Sequence, residues 1–493
     1  MIQATLGPEY DSIWLTVAIK LALIATVFLP FVSVLAMFSI WWERKVAGHI
    51  QGRFGPMHVG GWHGWAQSLA DGIKLILKED LVPAGADQFM FRLAPYLAFA
   101  PVFAALLALP FGPQFVFENG LNIGVLYLLA VLSVEVMGTI LAGWGSNSKW
   151  SIYGAMREAC QMVSYEIPLG VTIICGVIVA GTLHLTELSY LQGGGIHTWF
   201  IYHNPFLFAA FFVYFVASLA SNKRAPFDLP ESESELVAGF HTEYSGIRWS
   251  LFFFAEYAGM FIVGAIQTVL FLGAWNSPLG QYDPVYMLLG YDPVAAGQAY
   301  FSGAVTAAAT LPEKAAAMGF TGDVGPVQLL VLNAYCAAIF CVKAMGIIFV
   351  QIWLRWTLPR IRIDQVLYAC VKVLLPLSLV LLVGNALWVW LVTNPQPFTL
   401  TTPDGTTVEN FDIAHLVQQP NALQLATQVI LTALGVLGFL YVLGIVAHAF
   451  LTRSKNPPQS FFPDTMPVGN QQHFHPGHAA SEPAAGTAEP APA

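Results

Sequence analysis

Long apolar runs alternate with shorter polar segments along most of this 493-residue chain. Nine of the runs are long enough to cross about 30 Å of hydrocarbon as α-helices. These candidate spans cover residues 13 to 38, 93 to 111, 121 to 143, 163 to 183, 204 to 221, 249 to 273, 328 to 354, 371 to 393 and 422 to 450. The pattern therefore predicts an all-α fold, a polytopic transmembrane helix bundle.

The polar segment between the first two spans has a different periodicity. From Trp65 onward, apolar residues recur at helical spacing, and polar residues share the opposite face. The polar positions are Gln67, Asp71, Lys74 and Lys78. We expect this amphipathic helix, about residues 63 to 79, to lie in the membrane interface. A short helix that only covers its neighbours is the alternative.

Composition and charge give the class of protein and an orientation. Charged residues make up 10% of the chain and hydrophobic residues 56%, whereas ordinary soluble domains are about 25% charged. With the N-terminus outside, all the lysines and arginines fall in inner loops except Lys20 and Lys343, which lie within spans, and Lys314 in an outer loop. The positive-inside rule then places residues 222 to 248 and the C-terminal tail in the cytoplasm. The first apolar run follows no basic segment, so we expect it to be retained.

The most densely charged segment runs from Ser221 to Tyr244, between two apolar runs. It contains five carboxylates, on Asp228, Glu231, Glu233, Glu235 and Glu243. Like charges at short distance raise one another's pKa, and partial burial raises it further. These groups are therefore candidates for proton exchange near neutral pH, and a solvated acidic loop is the alternative.

A few ionisable residues lie inside the predicted spans, namely Glu135, Glu166, Glu256 and Lys343. An isolated charge at membrane depth costs a few kcal/mol or more, so such residues usually face a polar cavity or one another. Proton relay is the favoured role for this group. Hydrogen bonding between helices is the alternative.

The cysteines, the glycine-rich segment and the histidine-rich tail indicate no specific chemistry. The five cysteines form no C-x-x-C pair, and we expect buried thiols. The glycines between Gly52 and Gly64 match no nucleotide-binding pattern. The H-x-H-x-x-H of the tail (His473, His475, His478) permits adventitious metal binding, but the composition from Lys455 onward is typical of disorder. We expect residues 1–393 to form the core, with an outer-face insertion at 274–326, residues 394–451 an extra loop and ninth helix, and 452–493 a disordered cytoplasmic tail.

Several motifs in order resemble the H subunit of NADH-quinone oxidoreductase, respiratory complex I. They are ERKVAGHIQGRFGP, LADGIKLILKED, GWGSNSKWSIYGAMRE, VSYEIPL, NKRAPFDLPESESELVAGFHTEYSG, FFFAEY and LPRIRIDQ. The resemblance covers roughly residues 10 to 273 and 327 to 393. It implies an eight-helix core that forms most of a quinone chamber beneath the peripheral arm, in a proton-translocating enzyme.

The resemblance also implies roles for individual residues. The quinone chamber and its mouth would involve Glu43, Arg44, Arg53, Asp71, Lys74, Arg224, Phe227 and Asp228. The proton path into the membrane would involve Glu166, Glu231, Glu233, Glu235, Glu243 and Glu256, with Glu135 as a possible further member. The docking surface for peripheral subunits would include Arg355, Arg360 and Arg362. Quinone is the implied substrate, and no metal, flavin or iron–sulfur cluster is expected in this subunit.

The sequence departs from the family pattern at four positions. Ser221 stands where many members carry Glu, and Lys223 replaces a usual Asn, so one carboxylate of the path is missing or is supplied by Glu135. Met57 and His58 replace a common Asn-Arg pair.

The partners that the resemblance implies are the other complex I subunits and membrane lipid, with no nucleic acid.

Two other functions remain open on sequence alone. The related membrane anchor of a hydrogenase or formate hydrogenlyase shares the core, although the full PFDLPESESELVAGFHTEY favours the quinone enzyme. A proton-coupled transporter is the second, but the sequence has no internal repeat of the kind that transporters use.

Overall fold

The computed structural model describes residues 22, 24–116, 122–301, 320, 326–392, 398–401, 407–410 and 422–453. Its α-helices are, in chain order, α1 (Leu29–Ile50), α2 (Gln67–Leu77), α3 (Gln88–Ala108), α4 (Gly124–Gly145), α5 (Lys149–Ala180), α6 (Leu185–Tyr190), α7 (Phe200–His203), α8 (Pro205–Ser221), α9 (Glu233–Leu236), α10 (Gly246–Phe271), α11 (Pro284–Leu289), α12 (Pro293–Phe301), α13 (Pro326–Thr357), α14 (Ile363–Leu367), α15 (Leu375–Val392) and α16 (Ala422–Arg453). The fold is an all-α membrane bundle, as predicted.

Within the described residues, eight helical segments are long and apolar enough to span a membrane, and α8 is a shorter ninth. A π-helical turn, Ile24–Phe28, leads into α1, and a second, Tyr368–Leu374, joins α14 to α15. One short antiparallel sheet pairs β1 (Phe398–Thr401) with β2 (Thr407–Asn410). Eight of the nine predicted spans are thus long apolar helices in the described part of the chain, and the predicted span 204–221 corresponds to the shorter α8.

Two helices hold the bundle together. Helix α5 packs against α4, α8 and α15, and α10 packs against α1, α3 and α13. Almost every residue of α10 from Tyr257 to Phe271 is buried. The buried apolar side chains of these helices form the main core, so the polar residues that α5 and α10 carry are held inside the protein.

Two predicted boundaries are wrong in a way that matters. Helix α1 continues to Ile50 instead of ending near residue 38, and α5 begins at Lys149 instead of near residue 163. Charged residues were expected to lie in loops, but Glu43 and Glu158 are buried on these helical extensions. Their partners are cations from elsewhere in the fold, so the helices can carry charge into the core.

The described part of the expected insertion, 274–326, contains turns and the helices α11 and α12. Asp283 accepts a hydrogen bond from the backbone of Val285 at the start of α11, and Trp275 and Tyr286 of this segment are fully buried. Helix α16 begins beside α7, where Gln424 and His203 are hydrogen-bonded. Residues after Thr432 belong to a second compact unit, of which the structure describes helix only as far as Arg453. The predicted tail beyond residue 453 lies outside the described residues.

Candidate functional site

A cavity of about 920 Å³ lies where α1 ends. Its wall comes from α1, the following loop, α2, α10 and α13. The lining residues are Glu43, Arg44, Ala47, Arg53, Phe54, Gly55, Pro56, Met57, His58, Val59, Gln67, Tyr257 and Trp356. Most of the wall is apolar side chain or backbone, and the charged groups come from α1 and Arg53. The cavity thus combines a greasy surface with a few fixed polar groups, which is typical of small-molecule sites.

The loop over the cavity is held tightly against α1. Lys45 Nζ donates to the Pro56 carbonyl at 2.5 Å, and Arg53 N donates to the Gly48 carbonyl at 2.9 Å. A Cβ at Gly48 would lie 2.8 Å from the Gly55 backbone nitrogen, so this approach requires glycine. Part of the cavity wall is therefore rigid.

Behind the cavity wall lies a group that we call the arginine centre, consisting of Arg224, Glu43, Glu256, Tyr257 and Arg355. Arg224 Nη1 lies 3.0 Å from Glu43 Oε2, and its Nε lies 2.6 Å from Glu256 Oε1. Glu43 also accepts from the Tyr257 hydroxyl at 2.6 Å and from Arg355 at 2.5 Å. Three side chains therefore donate hydrogen bonds to this one carboxylate.

Arg224 is itself buried, with 2% of its surface exposed. Burial alone would lower its pKa, but the charges of Glu256 and Glu43 outweigh it and raise the pKa well above the usual value. Its guanidinium also stacks 4.3 Å from the centroid of the Tyr257 ring. The arginine centre therefore contains a permanent positive charge directly behind the cavity.

A second group, the lysine centre, consists of Lys223, Glu135 and Glu158. Lys223 Nζ lies 3.3 Å from Glu158 Oε1 and 3.7 Å from Glu135 Oε1. Burial would lower the pKa of Lys223, but the carboxylates of Glu158 and Glu135 outweigh this and raise it. The amine is thus held protonated, and both acids share one cation.

The loop from Asn222 to Ser245 joins the two centres. Its backbone closes tightly, because a Cβ at Gly239 would lie 1.6 Å from the Pro230 carbonyl oxygen, and Gly239 has a φ of 58°. At the end of the loop, Tyr244 stacks on Phe91 with ring centroids 4.1 Å apart and donates to the Phe91 carbonyl. The loop is therefore fixed at both of its ends.

Glu231 lies within this loop and is the acid most affected by its surroundings. Burial, together with the charges of Glu256 and Asp228, raises its pKa well above the usual value, although Arg224 and Lys223 oppose the shift. Its nearest basic neighbour is His241, whose Nδ1 lies 3.8 Å away. Burial lowers the pKa of His241 to about 4. His241 is consequently favoured in its neutral form at pH 7, and Glu231 takes up a proton more readily than an exposed glutamate does.

The remaining acids of the loop lie further from the cavity. Glu235 has 51% of its side chain exposed and pairs with Arg157 of α5 at 2.5 Å. Glu243 is half-buried. Glu233 begins α9, but its side chain lies outside the described residues. Asp228 is half-buried beside Phe227, which is part of the apolar core, with its carbonyl accepting from Gln161.

Glu166 lies about two turns beyond Glu158 on α5. It accepts a hydrogen bond from Ser133 of α4 at 2.5 Å. Tyr165, its neighbour, is buried and lies within electrostatic reach of Glu158, Glu135 and Glu166, with the side chain of Ser221 within hydrogen-bonding distance. Tyr165 therefore connects the lysine centre with Glu166.

Helix α2 borders the cavity and leaves an apolar face uncovered. Leu69, Ile73, Ile76 and Leu77 are all exposed, as the interfacial prediction requires. Its polar face is tied to α1, because Asp71 forms an ion pair with Arg44 and accepts from Gln67. Lys74 is exposed further along the helix. The apolar face of α2 therefore lies exposed beside the cavity and is not packed into the protein core.

The three arginines expected at a docking surface do not lie together in one environment. Arg355 is only 25% exposed in its side chain and belongs to the arginine centre. Arg360 and Arg362 are exposed, on the segment between α13 and α14. Only the latter two are therefore accessible.

Lys343 has contacts of a structural kind. Its Nζ donates to the carbonyls of Leu272 and Asn276 at 2.6 Å and of Ala274 at 3.0 Å, just beyond the end of α10. These carbonyls belong to the turn that follows the helix, and buried backbone carbonyls need donors. The contacts favour the alternative interpretation of this residue, namely hydrogen bonding between helices.

Sequence reasoning missed Glu158 and Tyr257. Glu158 and Tyr165 are seven residues apart, which places them on one face of an α-helix, but this signal was hidden because α5 was expected to begin after Glu158. Tyr257 directly follows Glu256, and the sequence gives no signal that its hydroxyl bonds Glu43. Among the described residues, no three His, Cys, Asp or Glu side chains are grouped in a way that could hold a metal ion.

Comparison with known proteins gives consistent results. The sequence profile of the family described as NADH dehydrogenase matches residues 22–386. The chain is 42% identical over 371 residues to the H subunit of NADH-quinone oxidoreductase from Chlorobium luteolum, covering 75% of this chain and 89% of that protein. It is 38% identical over 381 residues to the Anaeromyxobacter dehalogenans protein of the same name (77% and 84%). The protein of that name from Geobacillus thermodenitrificans is 40% identical over 376 residues (76% and 95%).

Proposed function

The chain belongs to the NADH dehydrogenase family, and from this premise we propose that it contains the quinone-binding chamber of an NADH:quinone oxidoreductase and links quinone reduction to proton translocation. Its resemblance to the H subunit of that enzyme is confirmed by the relatives' names, which favour this interpretation over a hydrogenase anchor. It is a multi-pass membrane protein. The observation that carries the proposal is the contact between the cavity wall and the arginine centre through Glu43 and Tyr257.

The cavity and α2 together suit a ligand with a polar head and a long apolar tail. The cavity volume of about 920 Å³ falls in the range of about 300–1,000 Å³ that small-molecule sites occupy. Helix α2 exposes its apolar face next to it. A hydrophobic quinone enters from the bilayer along this helix, and the polar wall with Glu43, Arg44 and Arg53 receives its headgroup.

The arginine centre supports the link to protons. Reduction of the quinone brings electrons into the chamber, and the developing negative charge attracts protons and shifts nearby ionisation equilibria. Glu43 touches the chamber, and Arg224 connects it to Glu256. A change of charge in the chamber is therefore felt at Glu256 and Glu231 within two contacts. Glu235, Glu243, Glu166 and Glu135, with Glu233 of α9, continue the path toward the membrane interior.

The electrons reach the quinone from a redox centre that another subunit of the complex supplies. The exposed Arg360 and Arg362 suit a docking surface for peripheral-arm subunits. The distribution of cations supports a cytoplasmic position for this face and an external N-terminus in a bacterial inner membrane.

The test is Glu256→Gln in the assembled complex in native membranes. The variant should lower both quinone reduction and proton uptake into vesicles, while NADH oxidation by a soluble artificial acceptor stays normal. Glu187→Gln is the matched control, because Glu187 pairs with Thr182 beside α6, away from both centres. Wild-type quinone reduction and proton uptake in Glu256→Gln would refute the path, and failure of the wild-type complex to reduce quinone would refute the function.

A further inference from the structure

Glu158 is a buried acid without an assigned role. It ends the motif GWGSNSKWSIYGAMRE, which implies no function for it, and the proton path proposed above does not include it. It lies on α5 with none of its surface exposed. Its Oε1 lies 3.3 Å from Lys223 Nζ, and neither of its oxygens has a hydrogen-bond partner of normal geometry among the described residues. A carboxylate in such a position needs either its counterion or a proton.

The charges of the lysine centre do not balance when both acids are ionised. Glu158 and Glu135 then carry two negative charges, and Lys223 supplies one positive charge. Lys223 is 6% exposed in its side chain and Glu135 15%, so water screens this group little. Binding one proton on either carboxyl makes the centre neutral, and neutrality is what burial favours.

The centre also has neighbours on both sides. Toward the cavity, Lys223 is bonded in the chain to Arg224, and it lies within electrostatic reach of Glu256 and Glu231. Toward the membrane interior, Tyr165 lies within reach of Glu158, Glu135 and Glu166. Ser133 then hydrogen-bonds Glu166. The Phe240 ring also faces the centre, with its centroid 5.8 Å from Lys223 Nζ.

We propose that the lysine centre stores one exchangeable proton, shared between Glu158 and Glu135, and that Glu158 is a proton-transfer residue of the path. This rests on the function proposed above. In the transfer, the O–H bond of the Glu158 carboxylic acid breaks and an O–H bond forms on the Glu135 carboxylate, while Lys223 keeps all its protons.

The experiment places Glu158→Gln in the assembled complex. Glutamine keeps the shape of the side chain but cannot exchange a proton, so proton uptake into vesicles should fall roughly tenfold or more, because a positioned proton-transfer group commonly contributes about 10²-fold or more. The infrared difference spectrum between oxidised and reduced complex should lose the carbonyl band of a protonated carboxylic acid. Artificial-acceptor activity reports that the complex is present.

A second variant keeps the test informative if the complex with Glu158→Gln does not assemble. In the double variant Glu158→Gln, Lys223→Gln, the centre keeps one carboxylate and no cation, so assembly should match the wild type once Glu135 binds the proton, while proton uptake stays low. Wild-type proton uptake and an unchanged infrared band in Glu158→Gln would overturn the proposal. If Glu256→Gln is impaired at the same time, the proposed function survives and only this inference falls; if both variants are normal, both fall.

Discussion

Lys223 and Arg224 are consecutive in the chain but bind carboxylates on different pairs of helices. Lys223 faces Glu135 of α4 and Glu158 of α5, and Arg224 faces Glu43 of α1 and Glu256 of α10. The backbone of Lys223 has a φ of 52°, a conformation uncommon for a residue with a side chain. The two cations together tie four helices to one loop, and the loop separates two acidic groups.

The role of Glu235 can be separated from its contact with Arg157. Glu235→Gln should depress proton pumping in reconstituted vesicles. Arg157→Gln removes the same ion pair but keeps the carboxylate. Since an exposed pair contributes at most about 1 kcal/mol, roughly fivefold, any larger loss in Glu235→Gln reflects lost proton transfer. Equal losses in the two variants would mean that Glu235 only holds the loop.

The entrance along α2 can be tested at Gly72, where an added Cβ would meet nothing within 4 Å. Gly72→Leu should therefore fold normally but obstruct a tail that lies along the helix. The KM for long-tailed quinone should rise roughly fivefold, about 1 kcal/mol of lost contact, with little change for a short soluble quinone. Gly438→Leu on α16, equally open, is the control. An equal effect on both quinones would remove the entrance from α2.

The buried His241 should make stability depend on pH. In the unfolded chain its pKa is near 6.5, and in the folded protein it is about 4. Between these values the unfolded state binds more protons, so stability is complete above about pH 6.5 and falls as the pH falls toward 4. Glu231 acts in the opposite sense. Its raised pKa stabilises the fold at low pH, and this stabilisation is lost as the pH rises.

His241→Gln isolates the histidine contribution. Compared with the wild type, the variant should gain about 2 kcal/mol of relative stability between pH 7.5 and pH 5. Thermal unfolding of the purified complex at both pH values measures this. A constant difference between wild type and variant would show that folding does not shift the pKa of His241.

Lys343 should act on stability and not on proton transfer. Lys343→Met leaves three buried carbonyls without their donor, at about 1–3 kcal/mol for an unsatisfied group, so the melting temperature of the complex should drop. The ratio of protons pumped to quinone reduced should remain that of the wild type. Lys343→Arg restores donors and should recover part of the stability. A changed ratio in either variant would return Lys343 to the proton path.

The sequence alone predicted most of the fold, because a chain that crosses lipid must satisfy its backbone hydrogen bonds internally and therefore forms helices that are visible as long apolar runs. The spans, the amphipathic helix and the acidic loop were all visible as patterns. What it concealed was pairing over long sequence distances, as between Glu43 and Arg355, which are 312 residues apart. In the pattern of apolar and polar residues, a charged residue is read as part of a loop. Only the fold shows that Glu158 has Lys223 as its counterion.

The loop between the lysine and arginine centres has a mechanical consequence. Its first residues bind carboxylates on four helices, and its last aromatic ring is stacked on Phe91. A shift of Lys223 or Arg224 breaks buried ionic contacts, and a buried charge that loses its partner is costly in a dry interior. The segment should therefore respond to charge in the cavity by a threshold, remaining in place until the imbalance suffices and then moving as a whole.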